Sequence, residues 1–316
     1  MPPWSGLVKI IDRTDDWRGL ELHGLLGIAA ARAAATGRAT PAAAELARAA
    51  AGGNLLRSQA VLEDLRRGTN REFLVFKGPE VAVRWPDASW REYADVDVLA
   101  DDAEAMRADL AAAGWRDLVG PTALRSTTYE RIHHVRPLIH PTLSMTVEIH
   151  RRANWPTWGT PPPFEDLADD AVPSATGVTS VMAPTAPKHA LLVLAHSCAR
   201  QPIEQLSQLV DLLVLSEMAD VHDLHSIAHR WGLFRLLGFA HEAIDSLILG
   251  NRRDSLALRM LAPHLRKVSW PSARQQQLRR YASSPVFTSP AVAGRALMAG
   301  AGRRARTVFV DRREDD

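Results

Sequence analysis

Four short stretches of this chain set residue types at spacings that could do chemistry: Lys77-Gly78-Pro79, Arg91, Asp95-Val96-Asp97 and Glu148-Ile149-His150. Phe73 to Phe76 is an apolar run of the length expected for a buried strand, and it leads directly into Lys77-Gly78-Pro79. Glycine permits a close backbone approach and proline suits the first position of a helix. The junction therefore predicts backbone N–H groups exposed at a helix start beside the Lys77 ammonium, an arrangement that attracts anions and phosphate above all. Asp95 and Asp97 alternate with Val96 and Val98. On a strand, alternate residues share a face, so both carboxylates project together while the valines enter the core. Paired carboxylates want a cation, and hard oxygen ligands suit Mg²⁺, or Mn²⁺ of similar preference, with waters and substrate phosphates as the remaining ligands. Glu148 alternates with Val147 and Ile149 in the same way on a separate expected strand. If the two strands are neighbours, three carboxylates converge below a phosphate-binding turn, a geometry suited to two-metal, in-line phosphoryl or nucleotidyl displacement.

The order of these features resembles the DNA polymerase beta-like nucleotidyltransferase superfamily, and within it a bacterial branch, nucleotidyltransferase family 5. Members of that branch read Lys-Gly, then Arg followed four residues on by Asp-x-Asp-x-Leu with apolar residues between, then a carboxylate two residues before a histidine. This chain has Lys77-Gly78, Arg91, Asp95-Val96-Asp97-Val98-Leu99 and Glu148-Ile149-His150. The resemblance continues through Leu191 to Asp211, with His196 on one apolar helix and Asp211 on the next. It implies an α+β fold, a nucleotidyltransferase-like mixed sheet core flanked by N-terminal and C-terminal helical segments. It also implies a Mg²⁺- or Mn²⁺-dependent enzyme that moves NMP from an NTP to an acceptor and releases pyrophosphate. Asp95, Asp97 and Glu148 would then be catalytic and metal-holding, with Glu148 helping to deprotonate the acceptor, and Lys77, Gly78 and Arg91 would bind nucleotide. The chain departs from the superfamily at Pro79, where a small residue is usual and where proline removes one N–H from phosphate binding. The acceptor implied is a small molecule, a modified peptide or RNA.

Other residues carry weaker signals. Two readings stay open for Arg91: pairing with Asp95 or Asp97, or contact with nucleotide phosphates. His150 shares a strand face with Glu148, so it either orients that carboxylate or the acceptor, or is a bystander. Trp155, seven residues beyond Glu148, is an acceptor-side stacking candidate among the tryptophans Trp85, Trp90 and Trp158 that flank the motifs. His189 and His196 lie seven apart on one helix face, but no further ligand set accompanies them, which argues against zinc. His133 and His134 point to opposite faces of a strand, which argues against joint ligation. Asp211 sits among apolar residues and needs a partner if buried, by default a salt bridge or a helix cap, with support of the nucleotide site as the alternative. Cys198 is the single cysteine, so neither an intramolecular disulfide nor a thiolate cluster is available, and a packed core thiol is expected.

These residues need elements to hold them. At 316 residues, 46% hydrophobic and 23% charged, the chain is of ordinary globular composition with room for about two domains. No apolar run approaches the ~20 residues that cross a bilayer, and no secretory signal is visible at the start, so the expectation is a cytoplasmic protein without membrane insertion. Residues 1–69 read as helical, with helices over Leu20 to Ala35 and Pro41 to Ala51 and another that Asn54 caps. Residues 70–183 form the expected core, with strands at Phe73 to Phe76, Val96 to Ala100, Ile132 to Ile139 and Ser144 to His150. A helix capped by Asp101 runs from Asp102 to Ala113 and stops at Gly114. Residues 184–251 read as a helical domain, over Lys188 to Arg200, Glu204 to Met218, Asp223 to Trp231 and Leu233 to Leu249. Residues 252–316 form a basic, mainly helical segment and tail, with 14 Arg and Lys against 5 Asp and Glu. That block, which includes Arg266, Lys267, Arg279, Arg280, Arg303, Arg304 and Arg306, either meets RNA or is a solvated tail. The alternative to catalysis is a nucleotide- or RNA-binding protein on the same fold.

Overall fold

The computed structural model describes residues 4–118, 133–199 and 202–277, together with Arg279 and Phe287. Its strands are β1 (Phe73–Val75), β2 (Asp95–Ala100), β3 (Arg116–Asp117), β4 (Leu138–Ile139), β5 (Thr146–His150), β6 (Val172–Pro173) and β7 (Met182–Ala183). Among the described residues they form one sheet in the order β3-β4-β5-β2-β1-β7-β6. β2 runs parallel to β5 and β1 parallel to β7, whereas the β1–β2 pair is antiparallel. The two alternating carboxylate segments are thus neighbours, and Asp97 lies directly opposite Glu148.

Period-two alternation sorts the sheet's side chains into two layers. Phe73, Val75, Val96, Val98, Val147 and Ile149 face one way, against Val61, Leu62 and Leu65 of the long helix α4 and Met106 and Leu110 of α6. Leu74, Phe76 and Leu99 face the other way, into a larger apolar core. The helices are α1 (Ser5–Asp12), α2 (Trp17–Leu22), α3 (Leu26–Thr36), α4 (Ala42–Gly68), α5 (Pro79–Ala82), α6 (Ala103–Ala112), α7 (Glu165–Ala168), α8 (Ala186–Ser197), α9 (Leu206–Ser216), α10 (Val221–Arg230), α11 (Phe234–Ala243), α12 (Leu256–Leu261) and α13 (Pro263–Lys267). A π-helical turn, Ile244–Leu249, extends α11 until Gly250 stops it in the left-handed region at φ 74°. Trp4, Leu7 and Ile11 of the N-terminal region share the larger core with the C-terminal helices, as do Leu191, Leu209, Leu236 and Leu247. Each such fully buried side chain contributes about 1.5–3 kcal/mol.

Several local expectations are corrected. α4 runs unbroken through Gly52-Gly53, and Asn54 is mid-helix, its amide donating to the Tyr93 carbonyl instead of capping. Each glycine costs about 1 kcal/mol against alanine, and burial of Ala44, Ala51, Val61, Leu62 and Leu65 outweighs it. The helix expected over Leu20 to Ala35 divides at Gly24, whose φ is 63°. Asp102, not Asp101, caps α6 by accepting from Ala105 N. The strand expected from Ile132 shrinks to Leu138–Ile139 plus a single bridge between His134 and His150; residue 132 lies outside the described residues. Two members of the basic block are committed internally. Arg279 is fully buried and donates to the carbonyls of Pro202 and Ile203, and Arg266 forks onto Asp254 (2.6 and 2.7 Å). Arg280, Arg303, Arg304 and Arg306 lie outside the described residues.

Candidate functional site

The face of β2 and β5 that carries Asp95, Asp97, Glu148 and His150 looks toward α8, and the end of β1 brings Lys77 to the same place. Asp97 is the centre. It is fully buried, its Oδ1 accepts from His150 Nε2–H at 2.9 Å, and the Lys77 ammonium stands 3.1 Å from its Oδ2. Burial alone would raise the Asp97 carboxyl, but the Lys77 charge and the His150 hydrogen bond outweigh it and hold it well below the usual carboxylate range. Asp97 is therefore an anion. Glu148 is partly open, its side chain 30% exposed, with Oε2 3.7 Å from His150 Nε2.

Asp97, Glu148 and His150 each offer a ligand atom, all within 4.8 Å of one another. Two carboxylates on adjacent strands fit a hard divalent cation. His150 already donates Nε2–H to Asp97, so its nearest role is to orient that carboxylate, as imidazoles beside metal-binding carboxylates do. Asp95 stands on the same strand face, two residues before Asp97. Burial, then the nearby Asp97 charge, pushes its carboxyl upward. A cavity of about 200 Å³ opens beside it, lined among others by Lys77, Gly78, Arg91, Tyr93, Asp95 and His196. More open hollows of about 610 and 650 Å³, one lined by residues 67–71 and the other by Trp115 and its neighbours, contain none of these residues.

The Lys77-Gly78-Pro79 turn is built for close approach. Gly78 has φ 60° and ψ −119°, and a Cβ there would lie 2.4 Å from the Asp95 carbonyl oxygen. α5 is only four residues long, and the Glu80 N–H bonds back to Lys77 O at 3.3 Å. The positive charge at this turn is thus the Lys77 ammonium more than a helix dipole. The buried Glu80 carboxylate anchors α5 by accepting from Ser174 Oγ and Ala175 N.

Arg91 does not pair with either motif aspartate. Its guanidinium forks onto Asp211 of α9 (Nε to Oδ1 2.7 Å, Nη2 to Oδ2 2.9 Å), while Nη1 donates to Gly78 O at 3.1 Å. Trp85 Nε1–H adds a third donor to Asp211 at 2.8 Å. Asp211 meets its requirement for a partner in this way, and Arg91 becomes a strut between the glycine turn and α9. Trp155 is 3% exposed and packs edge-on against Trp231 (5.8 Å), which places it in the apolar core and not on a stacking surface. Cys198 is a buried free thiol pushed up to about 12 by burial.

His196 and Asn154 join the site from outside the motif strands. Lys77 Nζ donates to His196 Nε2 at 3.0 Å, and Asn154 lies 3.5 Å from His196 Nδ1. Burial, then the Lys77 charge, lowers His196 far below its ordinary value, so the ring is neutral and Nε2 can accept. The proton then sits on Nδ1, and the arrangement that satisfies both groups turns Asn154 Oδ1 toward it. His189, seven residues earlier, meets Phe76 O at 2.6 Å and is lowered to about 3 by burial. Their shared helix face, legible in the sequence, thus serves the end of β1. Nothing in the local pattern marked Asn154.

A family described as uncharacterised nucleotidyltransferase matches residues 13–247. No curated protein matches the chain.

Proposed function

The chain belongs to this nucleotidyltransferase family, and on that premise we propose that it is a DNA polymerase beta-like enzyme that moves NMP from an NTP to an acceptor, releasing pyrophosphate. The observation that carries the proposal is the facing of Asp97 and Glu148 on adjacent parallel strands, beside Lys77. Asp97 and Glu148, with Asp95 on the same face, would hold Mg²⁺ or Mn²⁺. Such an ion, when bound, neutralises phosphate charge and polarises the phosphoryl group under attack. Asp97 is already an anion, oriented by His150. Lys77 supplies the positive charge for the phosphates, and the Arg91 strut keeps the turn that carries it in place. Glu148, partly open and directly opposite Asp97, would accept the acceptor's proton. The cavity of about 200 Å³ is smaller than the ~300–1,000 Å³ that encloses a whole drug-sized ligand, so it suits the phosphate end of a nucleotide. Positioning and charge neutralisation would provide most of the catalysis.

The acceptor is a hydroxyl, phosphate or carboxylate on a small molecule, a peptide or RNA. Incubation with each α-labelled NTP, Mg²⁺ and an extract split into RNA, peptide and small-molecule fractions tests both reaction and acceptor. Label in one fraction, lost with Asp97→Asn, is the expected result. No transfer to any fraction with any NTP, in Mg²⁺ or Mn²⁺, would refute the proposal.

A further inference from the structure

Asp97 is closed to solvent on every side. The residue is fully buried, and its Oδ2, the oxygen not bonded to His150, is itself inaccessible. Of the groups that cover it, His150 cannot move aside readily: it is fully buried, with Phe76, His134 and His196 rings at 5.3, 5.5 and 6.2 Å. Lys77 can. Its side chain is 23% exposed, its four-carbon stem is flexible, and it borders the cavity that also holds Asp95. His196 accepts from the ammonium at 3.0 Å with Asn154 behind it, so the covering position is a seat built by the loop after β5 and by α8.

We propose that Lys77 is the resident counter-ion of Asp97, and that a divalent cation reaches Asp97 and Glu148 by displacing the ammonium into the neighbouring cavity. This rests on the metal site of the proposed function and adds a coupling to it. The displaced ammonium arrives where the phosphates would lie, so cation binding and phosphate recruitment are linked through one side chain. His196 and Asn154 are positioning residues for the covering state. In that state Asp97 is neutralised locally, which lets a carboxylate stay buried before any cation binds.

The test is Mn²⁺ binding in the absence of nucleotide, titrated by electron paramagnetic resonance on the wild-type chain, Lys77→Met and Asp97→Asn. Asp97→Asn should lose the site. Lys77→Met should bind Mn²⁺ about tenfold more tightly or better, since the competing ammonium is gone, and Mn²⁺ should restore any melting temperature that the substitution costs. Equal or weaker binding by folded Lys77→Met, with the wild type binding normally, would overturn the counter-ion role and leave the metal site standing. Absence of specific Mn²⁺ binding from the wild type would overturn both. A second measurement needs no variant. Acetylation of lysine amines, read by mass spectrometry with Lys9 and Lys267 as internal references, should rise several-fold at Lys77 when Mn²⁺ is added; unchanged or reduced labelling with the site filled would refute displacement.

Discussion

Asp211→Ala removes the acceptor of three N–H groups at once: Arg91 Nε at 2.7 Å, Arg91 Nη2 at 2.9 Å and Trp85 Nε1 at 2.8 Å. Arg91 and Asp211 are 7% and 5% exposed, so water entering from the adjoining cavity replaces the lost partner only in part. Hydrogen bonds to a charged group contribute about 1.5–3 kcal/mol each, but three that share one carboxylate do not add. The governing figure is the cost of leaving one buried charge unpaired, about 3–5 kcal/mol. With a urea slope of about 3 kcal/mol per molar, that loss lowers the unfolding midpoint by roughly 1–2 M. Arg91→Met should cost a comparable amount, because it strands the carboxylate with Trp85 alone. The double replacement Arg91→Met with Asp211→Ala should recover part of the loss, because it leaves neither buried charge unpaired. Urea denaturation of the four proteins followed by circular dichroism measures the coupling, expected at about 2 kcal/mol or more in a double-mutant cycle. Arg91 Nη1 also holds Gly78 O at 3.1 Å, so the single variants should lose NTP turnover even in their folded fraction. A midpoint shift below about 0.3 M for Asp211→Ala, or additive single and double effects, would refute the strut.

Glu148→Gln should keep NTP affinity within a few-fold and cut single-turnover transfer by about 10²-fold or more, the usual loss for a general base; an unchanged rate in folded protein would remove Glu148 from the chemistry. Gly78→Ala forces a Cβ to within 2.4 Å of the Asp95 carbonyl oxygen at a φ of 60°, so it should destabilise by about 2 kcal/mol or more and abolish turnover; a wild-type melting curve would contradict the turn geometry. His189 and His264 are both lowered to about 3 by burial. Between about pH 6.5 and 3 the unfolded chain binds protons at these histidines that the folded chain does not, so stability is full above about pH 6.5 and declines on acidification. The slope is up to about 1.4 kcal/mol per pH unit per group, and urea midpoints at pH 7, 6 and 5 check it; a constant midpoint would contradict the buried neutral rings.

The faces of the motif strands were legible in the sequence because side-chain direction on a strand has a period of two. Asp95 and Asp97 had to project together, as did Glu148 and His150, with Val96, Val98, Val147 and Ile149 opposite, and all four of these apolar residues lie in the smaller core. Shared helix faces were equally legible, as for His189 and His196. Local pattern failed where tertiary packing outweighed propensity: Gly52-Gly53 reads as a break, yet α4 continues because its apolar residues on both sides are buried. Pairings were decided only by the tertiary structure. Asp97 meets Glu148 through a parallel register across 51 positions, Lys77 meets His196 across 119, and Arg91 takes Asp211, 120 residues away, over the nearby Asp95 and Asp97. The reason is physical. A repeat of two or 3.6 residues fixes which way a side chain points, whereas which charge it meets depends on how strands register and helices dock: here the sheet supplies both partners of the buried Asp97, and a distant helix supplies the partner of the buried Arg91.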